Sequence, residues 1–485
     1  MTLPLTGNLS SAELVDHLLN RIGEVDAAGP ELGAVIETNP AAMELAVERD
    51  AERRDGRLRS SLHGTPILIK DNIDTADGML TTAGSLALTG SRPSADAPIV
   101  TRLRNAGLIL LGKTNLSEWA GFRSPKCTSG WSARGGLTRN PWDVTRSAGG
   151  SSSGSGAALA AGLAPLAIGT ETDGSIVCPA SYCGVVGLKP TMGVLPAGGV
   201  IPIAHSQDIA GPMARSVSGV AALMDILADS TMYSTAITDE RGVERGVAGM
   251  RIGVARSFFG HHAATDAVAD AAISKLAASG AEIVDPVKFA PLPMYDDGGS
   301  DELTVLLYEF KHDLDQYLAA RPPASPDSPD SPRSLADVVE FNRKNSATEL
   351  QWFGQEFMEQ AAALGGLDEP DYLKARSESL RLARDEGIDA VLKAHNLDAL
   401  VSPAFPPAIM IDLVNGDAEI GGDATTAPAI AGYPILSVPM GLVHGLPVGL
   451  AVFGTAHSEP ALLKVAASVE RDAGLLVAGG LQPPR

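Results

Sequence analysis

The segment from Gly169 to Ala180 reads GTETDGSIVCPA and places Ser175 directly after a short run of small and polar residues. A serine hydroxyl attacks a carbonyl carbon only when a base takes its proton. Successive backbone N–H groups in a tight turn can converge on the oxyanion that forms in such an attack. The segment therefore predicts an acyl-transfer site with Ser175 as the nucleophile, provided that another part of the chain supplies the base.

A lysine and a second serine can complete this chemistry. Lys70 follows the apolar run 66–69, which is typical of a buried strand, and an unprotonated lysine at a strand end can serve as a base. Ser151 lies in a Gly–Ser loop that opens a helix, about one helix and one strand before Ser175, where it can relay a proton. Spacing alone leaves open whether Lys70 is catalytic or simply solvated.

A catalytic Lys70 must be neutral near pH 7. Its pKa would have to fall from about 10.4 to about 7, which corresponds to roughly 4 to 5 kcal/mol of differential stabilisation. Burial away from water disfavours the charged form and can supply a shift of this size. We therefore expect Lys70 to be buried.

Two other motifs suggest different chemistry. The run Gly107–Thr114, GLILLGKT, satisfies the pattern of a phosphate-binding loop and would make the chain a nucleotide-binding protein through Lys113. Its four consecutive apolar residues fit a strand better, because a strand uses the N–H groups that a phosphate loop leaves free. The run Gly150–Gly154 fits the nucleophile elbow G-x-S-x-G with Ser152 as nucleophile, but a polar, turn-like stretch over 140–146 precedes it.

Composition narrows the function classes. The chain has 485 residues, of which 45% are hydrophobic and 20% charged, and its net charge is −21. An acidic chain of this kind predicts no nucleic-acid partner, and no segment resembles a signal peptide or a membrane span. We expect a cytoplasmic globular enzyme. Cys127, Cys178 and Cys183 are too few for a disulfide framework, and Cys178 and Cys183 fit buried small hydrophobic side chains better than metal ligands. The pair His261-His262 lacks further ligands, so neither a metal nor a cofactor is predicted.

Helical and strand patterns alternate along the chain. Ser10 and Glu13 form a capping-box pattern ahead of apolar residues at helical spacing, so a helix should begin there. The other predicted elements are strands at 66–69, 108–111, 251–255 and 397–401, helices at 97–105, 157–163 and 264–278, and two adjacent strands at 433–439 and 447–453 joined by a loop through Gly441 and Gly445. This alternation indicates an α/β layered fold.

No clear domain boundary interrupts the pattern. Length alone would suggest about three domains. The tract 322–332, PPASPDSPDSP, cannot form a core and predicts an exposed, mobile loop. The region from about 302 to 384 should cover the site.

Several of these motifs together resemble the amidase signature family. They include the run KDNI from Lys70, GGSSSGSGAA from Gly149, GTETDGSIVCPA from Gly169 and CGVVGLKPT from Cys183. The likeness extends through Gly112–Asn115, Gly211–Met213 and 432–449, and it is weak only between about 233 and 390. It implies a single domain over residues 1–485, with a signature core at about 60–220 and a variable substrate-covering region at about 233–390. It also implies a central mixed β-sheet between helical layers.

The resemblance also assigns site residues. The family's catalytic lysine, its serine after a cis peptide bond and its nucleophilic serine fall on Lys70, Ser151 and Ser175. Backbone N–H groups of Thr172, Asp173, Gly174 and Ser175 would form the oxyanion hole. Ser152 and Thr170 match residues that support this hydrogen-bond network in relatives. The implied activity is hydrolysis of a carboxylic amide through an acyl-enzyme, without metal or organic cofactor.

This chain departs from the family's commoner GTDTGGSIR pattern at Glu171, Asp173 and Val177. A carboxylate at 173 would oppose oxyanion charge if it pointed inward, so we expect it to point away. Val177 stands where many members carry arginine, so the network must be stabilised differently.

These departures, with the runs 131–136 and 205–208, look most similar to the peptide amidase subgroup, which acts on C-terminal peptide amides. Aryl amides, carbamates and esters stay open as substrates of the same triad, and so does a non-catalytic binding module. The sequence leaves the oligomeric state open.

Overall fold

The computed structural model describes residues 9–239, 245–290, 292, 300–322, 331–418 and 420–472. Its strands are β1 Val35–Thr38, β2 Pro66–Lys70, β3 Ile109–Thr114, β4 Trp131–Ser132, β5 Gly136–Leu137, β6 Arg139–Asn140, β7 Asp143–Ser147, β8 Leu166–Glu171, β9 Val186–Lys189, β10 Ile209–Ala214, β11 Arg251–Ala255, β12 Glu282–Val287, β13 Ala399–Pro403, β14 Ile435–Val443 and β15 Leu446–Phe453.

The α-helices of these described ranges alternate with the strands. They are α1 Ser11–Arg21, α2 Ala42–Arg54, α3 Pro98–Asn105, α4 Ser153–Ala160, α5 Val177–Cys183, α6 Val217–Ala228, α7 Met232–Ile237, α8 Ala263–Ala278, α9 Asp301–Ala320, α10 Leu335–Lys344, α11 Ser346–Glu349, α12 Glu356–Ala363, α13 Pro370–Leu380, α14 Asp389–His395, α15 Thr426–Ala431 and α16 Glu459–Asp472. None of the helices in the described part of the chain has the length and apolar character needed to cross a membrane.

Within the described residues, the large sheet has eleven strands in the order β1-β3-β2-β8-β10-β9-β14-β15-β13-β11-β12. The pairs β2–β3, β2–β8, β11–β12 and β11–β13 are parallel, and the other neighbouring pairs are antiparallel. The sheet is therefore mixed, and the predicted α/β class is confirmed.

Helices cover both faces of this sheet, because alternate strand residues point to opposite sides. Ile67 and Ile69 of β2 pack in one apolar cluster with α3, α6, α8 and α16. Leu68, between them, packs in a second cluster with α1, α2, α4 and α5. The predicted sandwich of a mixed sheet between helical layers is confirmed.

The sequence predicted most of the elements that flank the site. Helix α1 has the expected capping box, with Ser10 and Glu13 bonded to each other's backbone N–H groups. Strand β2 includes Lys70, and β11 has the predicted bounds. Helix α4 begins and ends earlier than the predicted 157–163, because the small residues of the Gly–Ser run already form its first turn.

Two local predictions were wrong. The loop between β14 and β15 consists of His444 and Gly445 alone, both with positive φ, and Gly441 lies inside β14 at a register shift. Two successive positive φ values match the twist of a tight hairpin, so no longer loop is needed. The stretch 140–146, predicted to be turn-like throughout, forms a turn only at Pro141 and Trp142 and otherwise contains most of β7, which pairs with β6. Of the tract 322–332, residues 323–330 lie outside the described residues.

Candidate active site

Lys70 stands at the end of β2 with its whole side chain buried. Its Nζ lies 2.8 Å from Ser151 Oγ, 2.8 Å from Thr170 Oγ1 and 3.2 Å from Thr170 O. Parallel pairing of β2 with β8 brings these residues together across a gap of about a hundred residues in the chain. Two hydroxyl oxygens and one backbone carbonyl oxygen therefore surround the amine.

The environment of Lys70 favours its neutral form. Burial lowers the pKa of Lys70 to about 7, because the charged ammonium loses its hydration. The carboxylates of Asp208 and Glu171 oppose this shift. The expectation that Lys70 is buried is confirmed, and the amine can exist without its proton near neutral pH.

Ser151 lies between β7 and α4 and follows the cis peptide bond Gly150–Ser151. Its carbonyl oxygen accepts a hydrogen bond from the N–H of Ser117 at 3.1 Å. The N–H of Ser152 donates to the carbonyl oxygen of Ser175 at 3.1 Å, which ties this loop to the turn that carries Ser175. Ser151 is thus held between Lys70 on one side and the Ser175 turn on the other.

Thr170 and Ser152 fix the surroundings of the lysine. Ser152 Oγ donates to Thr170 O at 3.0 Å and accepts from the N–H of Thr170 at 3.2 Å. Thr170 Oγ1 also accepts from Asn72 Nδ2 at 3.0 Å. Asn72 was not among the predicted site residues, although it lies in the KDNI run. Ser152 uses its hydroxyl in this bracing, which leaves it unsuited to the nucleophile role of an elbow.

The turn after β8 presents free backbone N–H groups. Gly174 has φ +75°, a conformation that residues with a Cβ rarely adopt. The N–H groups of Thr172, Asp173 and Ser175 make no hydrogen bond with any described residue. Unpaired N–H groups beside a serine are the arrangement that can hold an oxyanion.

Glu171 stabilises this turn through hydrogen bonds to backbone N–H groups. Its buried carboxylate accepts hydrogen bonds from the N–H groups of Ile176 at 2.6 Å and Val177 at 3.0 Å, at the start of α5. The N–H of Gly174 lies against the same carboxylate. The side chain of Val177 packs in an apolar cluster, where many family members were expected to place an arginine. In this chain a carboxylate bonded to backbone therefore holds the turn.

Asp173 turns its carboxylate toward α15. Its Oδ2 accepts a hydrogen bond from Thr426 Oγ1 at 2.9 Å. Burial, and next the charge of Asp423, raise the pKa of Asp173 to about 7. One carboxylate oxygen is thereby committed to α15 and not to the unpaired N–H groups of the turn.

The segment 203–208 braces the opposite side of the turn. Asp208 Oδ1 accepts from Thr172 Oγ1 at 2.5 Å, and Asp208 Oδ2 accepts from the N–H groups of Ile203 and Ala204. Gln207 Nε2 donates to Thr172 O at 3.3 Å and to Glu302 Oε1 at 2.8 Å. Burial raises the pKa of Asp208 to about 7. Sequence reasoning used this run only for the resemblance and missed its contact with the turn.

The phosphate-loop motif has another role. Residues 109–114 form β3, which pairs with β1 and β2, and Lys113 is fully buried. Its Nζ donates to Ile73 O at 2.6 Å and to Thr81 Oγ1 at 2.9 Å. The backbone and the lysine are thus both engaged in the core.

Helices α9 to α13 pack on one another, and α9 contacts the segment 203–208 beside the site. Gln207 contacts α9 through Glu302, and Arg321 at the end of α9 donates to Thr81 O at 2.8 Å. Phe310 of α9 packs edge-on against Phe122, with the ring centroids 5.3 Å apart. These contacts place α9 beside the site, and that the whole region 302–384 covers the site stays a prediction.

The described residues contain one group of His and carboxylate side chains at metal-ligand spacing, namely His205, Glu309 and Asp313. Asp313 Oδ2 accepts from the backbone N–H of His205 at 2.7 Å and lies 2.9 Å from His205 Nδ1. The bond to Asp313 raises the pKa of His205. These contacts are those of an ion pair that closes the 203–208 loop onto α9.

Comparison with known proteins shows that this chain is similar to amidases. A sequence model of the family described as Amidase matches residues 13–463. A probable amidase of Arabidopsis thaliana is 36% identical over 484 residues, which cover 96% of this chain and 87% of the relative.

The solved structures agree with this sequence relative. The crystal structure of native peptide amidase from Stenotrophomonas maltophilia superposes with a TM-score of 0.87 at 47% identity, over 99% of this chain and 96% of that chain. An amidase family protein from Bacillus anthracis superposes with a TM-score of 0.84 at 32% identity, over 99% of this chain and 91% of that chain. The likeness therefore extends beyond the signature segments to the whole layered sheet.

Proposed function

The chain belongs to the amidase family and hydrolyses the C–N bond of carboxylic amides, and from this premise we propose that Ser175, Ser151 and Lys70 carry the reaction. The observation that supports this most directly is the buried contact of 2.8 Å between Lys70 Nζ and Ser151 Oγ. No other buried lysine of the described chain contacts a serine of the Gly–Ser loop.

The proton path follows from the pKa of Lys70. With that pKa at about 7, a neutral amine accepts a proton from Ser151 as Ser151 takes one from Ser175. The Ser175 oxygen then attacks the carbonyl carbon of the amide. Charge that develops on the carbonyl oxygen is held by the unpaired N–H groups of Thr172, Asp173 and Ser175, with Gly174 giving the turn its shape.

Breakdown uses the same groups in reverse. Ser151 returns a proton to the leaving nitrogen, so that the amine departs neutral and an ester to Ser175 remains. Water then attacks this ester, with the Lys70–Ser151 pair accepting its proton. Ser152, Thr170 and Asn72 keep the lysine in place but exchange no proton in this scheme.

The proposed substrates are peptides with a C-terminal amide. The support is the likeness to peptide amidase over nearly the whole chain. Aryl amides, carbamates and esters present the same carbonyl chemistry to the triad, so they form the comparison set. A cytoplasmic location and the lack of a nucleic-acid partner stay predictions.

The test is a Ser175→Ala variant assayed on peptide amides, anilides, carbamates and esters. We expect wild-type protein to hydrolyse peptide amides fastest and Ser175→Ala to lose at least about 10³-fold in kcat. Ser346→Ala, which removes an exposed hydroxyl on α11, should keep full activity. Hydrolysis that persists in Ser175→Ala would point to another nucleophile, and absence of hydrolysis by the wild-type protein would favour a binding module. ATP-dependent thermal stabilisation lost in Lys113→Ala would favour a nucleotide-binding protein.

A further inference from the structure

The carboxylate of Asp208 joins the turn before Ser175 to the loop that precedes β10. Its Oδ1 accepts a hydrogen bond from Thr172 Oγ1 at 2.5 Å. Its Oδ2 accepts from the N–H groups of Ile203 at 2.7 Å and Ala204 at 2.9 Å. Both oxygens are therefore engaged, and they hold the side chain of Thr172 against a loop that is fixed through its backbone.

The same loop holds the backbone of Thr172. Gln207 Nε2 donates to the carbonyl oxygen of Thr172 at 3.3 Å, so adjacent residues of one loop bind both its carbonyl and its hydroxyl. The N–H of Thr172 has no hydrogen-bond partner among the described residues, and in the proposed mechanism it holds the oxyanion. A misplacement of about 1 Å in a catalytic group can cost about 10²-fold in rate, so this bracing bears directly on catalysis.

Helix α9 anchors the loop on its far side. The N–H of Ser206 donates to Glu309 Oε2 at 3.0 Å, and His205 Nδ1 lies 2.9 Å from Asp313 Oδ2. The charge of Asp313 also acts on Asp208. The position of Asp208 is therefore set by β10 and α9 together.

Asp208 also acts on the lysine through space. Strand β10 begins directly after Asp208 and places Ala210 opposite Thr170, whose hydroxyl accepts from Lys70. Burial lowers the pKa of Lys70, and the negative charge of Asp208, followed by that of Glu171, opposes this shift. One carboxylate is therefore a neighbour of both the base and the turn that presents the oxyanion donors.

We propose that Asp208 is a positioning residue that couples the two halves of the mechanism: its hydrogen bonds fix the peptide of Thr172, and its charge sets how strongly Lys70 holds a proton. This inference rests on the proposed function. Asp208 exchanges no proton with the substrate in this scheme. A nearby negative charge favours the ammonium form of a lysine, so the carboxylate makes the amine a stronger base.

Asp208→Asn tests the effect of charge. The amide keeps the size of the side chain and an oxygen that can accept from Thr172, but it removes the negative charge near Lys70. The ammonium form then loses support, so the acid-side midpoint of kcat/KM should move to lower pH by about half a unit or more. Asp16→Asn, which removes an exposed carboxylate on α1, should leave the midpoint in place. An unchanged or higher midpoint in folded Asp208→Asn would overturn the effect on the lysine.

Thr172→Val tests the positioning and does not depend on the folding of Asp208→Asn. Valine keeps the shape of the side chain but cannot donate to Asp208, so kcat should fall about 10- to 100-fold while KM changes less than about threefold. Thr172→Ser restores the donor and should regain most of the lost rate. Thr101→Val, at an exposed position of α3, is the matched control. An unchanged kcat, or a rise in KM alone, would overturn the positioning role.

Failure of this inference differs from failure of the proposed function. If Ser175→Ala is inactive while folded Asp208→Asn and Thr172→Val behave like the wild-type protein, the role of Asp208 is overturned alone. Full hydrolysis by Ser175→Ala would instead overturn the proposed function. Denaturant unfolding of each variant establishes that it is folded before its kinetics are compared.

Discussion

At the scale of single residues, the proposed mechanism depends on one lysine that must be uncharged. Lys70 lies inside the sheet layer, where burial lowers its pKa and oxygen atoms of Ser151 and Thr170 surround its amine. A neutral amine so placed can accept a proton from Ser151 without a histidine. Because the charged form dominates below pH 7, acid should switch this base off.

The pH profile tests the lysine. The kcat/KM for an uncharged amide should fall about tenfold per pH unit below 7 and level off above 7, since the pKa of Lys70 is about 7. Lys70→Met should lower kcat by about 10² to 10⁴ and abolish this step, while the exposed Lys393→Met keeps it. A step near pH 7 that survives in Lys70→Met would assign the ionisation to Asp208 or Asp173, whose pKa values are also about 7.

Thr170 is predicted to act through Lys70. Thr170→Val keeps the shape of the side chain but removes the oxygen that accepts from Lys70 and Asn72. An unsatisfied buried donor costs about 1 to 3 kcal/mol, so kcat should fall roughly 5- to 150-fold with little change in KM. Thr145→Val, at an exposed position of β7, is the control in the same steady-state assay. A rise in KM alone would show that Thr170 serves substrate binding and not the lysine.

At the scale of elements, close packing of β10 against β8 and β9 positions the turn that carries Ser175. Strand β10 pairs with β8 along its whole length, with Ile209 opposite Glu171 and Ala210 opposite Thr170. Gly211 lies where any Cβ would overlap the carbonyl oxygen of Leu188 and come within 2.8 Å of Ile176 Cδ1. The glycine thus permits the close approach of β10 to β9 and to Ile176, which precedes α5.

Gly211→Ala tests this packing. We expect it to lower the free energy of unfolding by about 1 to 3 kcal/mol, because the added methyl group forces β9 and β10 apart. The matched control is Gly246→Ala, where a Cβ would meet nothing within 4 Å. Denaturant unfolding of both variants gives the comparison, and equal stability of the two would contradict the close approach.

At the scale of the whole molecule, one buried arginine ties the loop after β3 to the segment at the end of α11. Arg123 is fully buried, pairs with Glu118 and donates to Glu349 O at 2.6 Å. Its guanidinium lies 4.1 Å from the ring centroid of Phe353. Burial raises the pKa of Glu118 to about 8 and also raises that of Glu349. One arginine therefore lies beside two buried carboxyl groups, and the pKa values of both are raised.

Arg123→Met should destabilise the protein by about 3 to 5 kcal/mol, since it leaves buried carboxyl groups without a cation. Acids whose folded-state pKa is raised lose stability as pH rises above their unfolded pKa. The loss should therefore be larger at pH 8.5 than at pH 5.5, measured by denaturant unfolding. Arg343→Met removes an exposed arginine paired with Glu359 and should cost less than about 1 kcal/mol at both pH values. An equal loss of stability in both variants would refute the proposed stabilisation by Arg123.

The sequence by itself determined the chemistry and the elements that carry it. Local patterns are enough to predict the capping box of α1, the strand that ends at Lys70 and the turn before Ser175, because each depends on neighbouring residues. The family likeness extended this to Ser151, Ser152 and Thr170. That the whole chain forms one domain stays a prediction.

Only the tertiary structure decided what surrounds these residues. Pairing of β2 with β8 brings Thr170 to Lys70, and packing of 423–426 on the turn brings Asp423 to Asp173. Burial depth, and with it the pKa of each group, depends on atoms from distant parts of the chain that no local pattern contains. The same reason explains why Asn72, Gln207 and Asp208 were missed, since their partners are set by strand order and not by spacing.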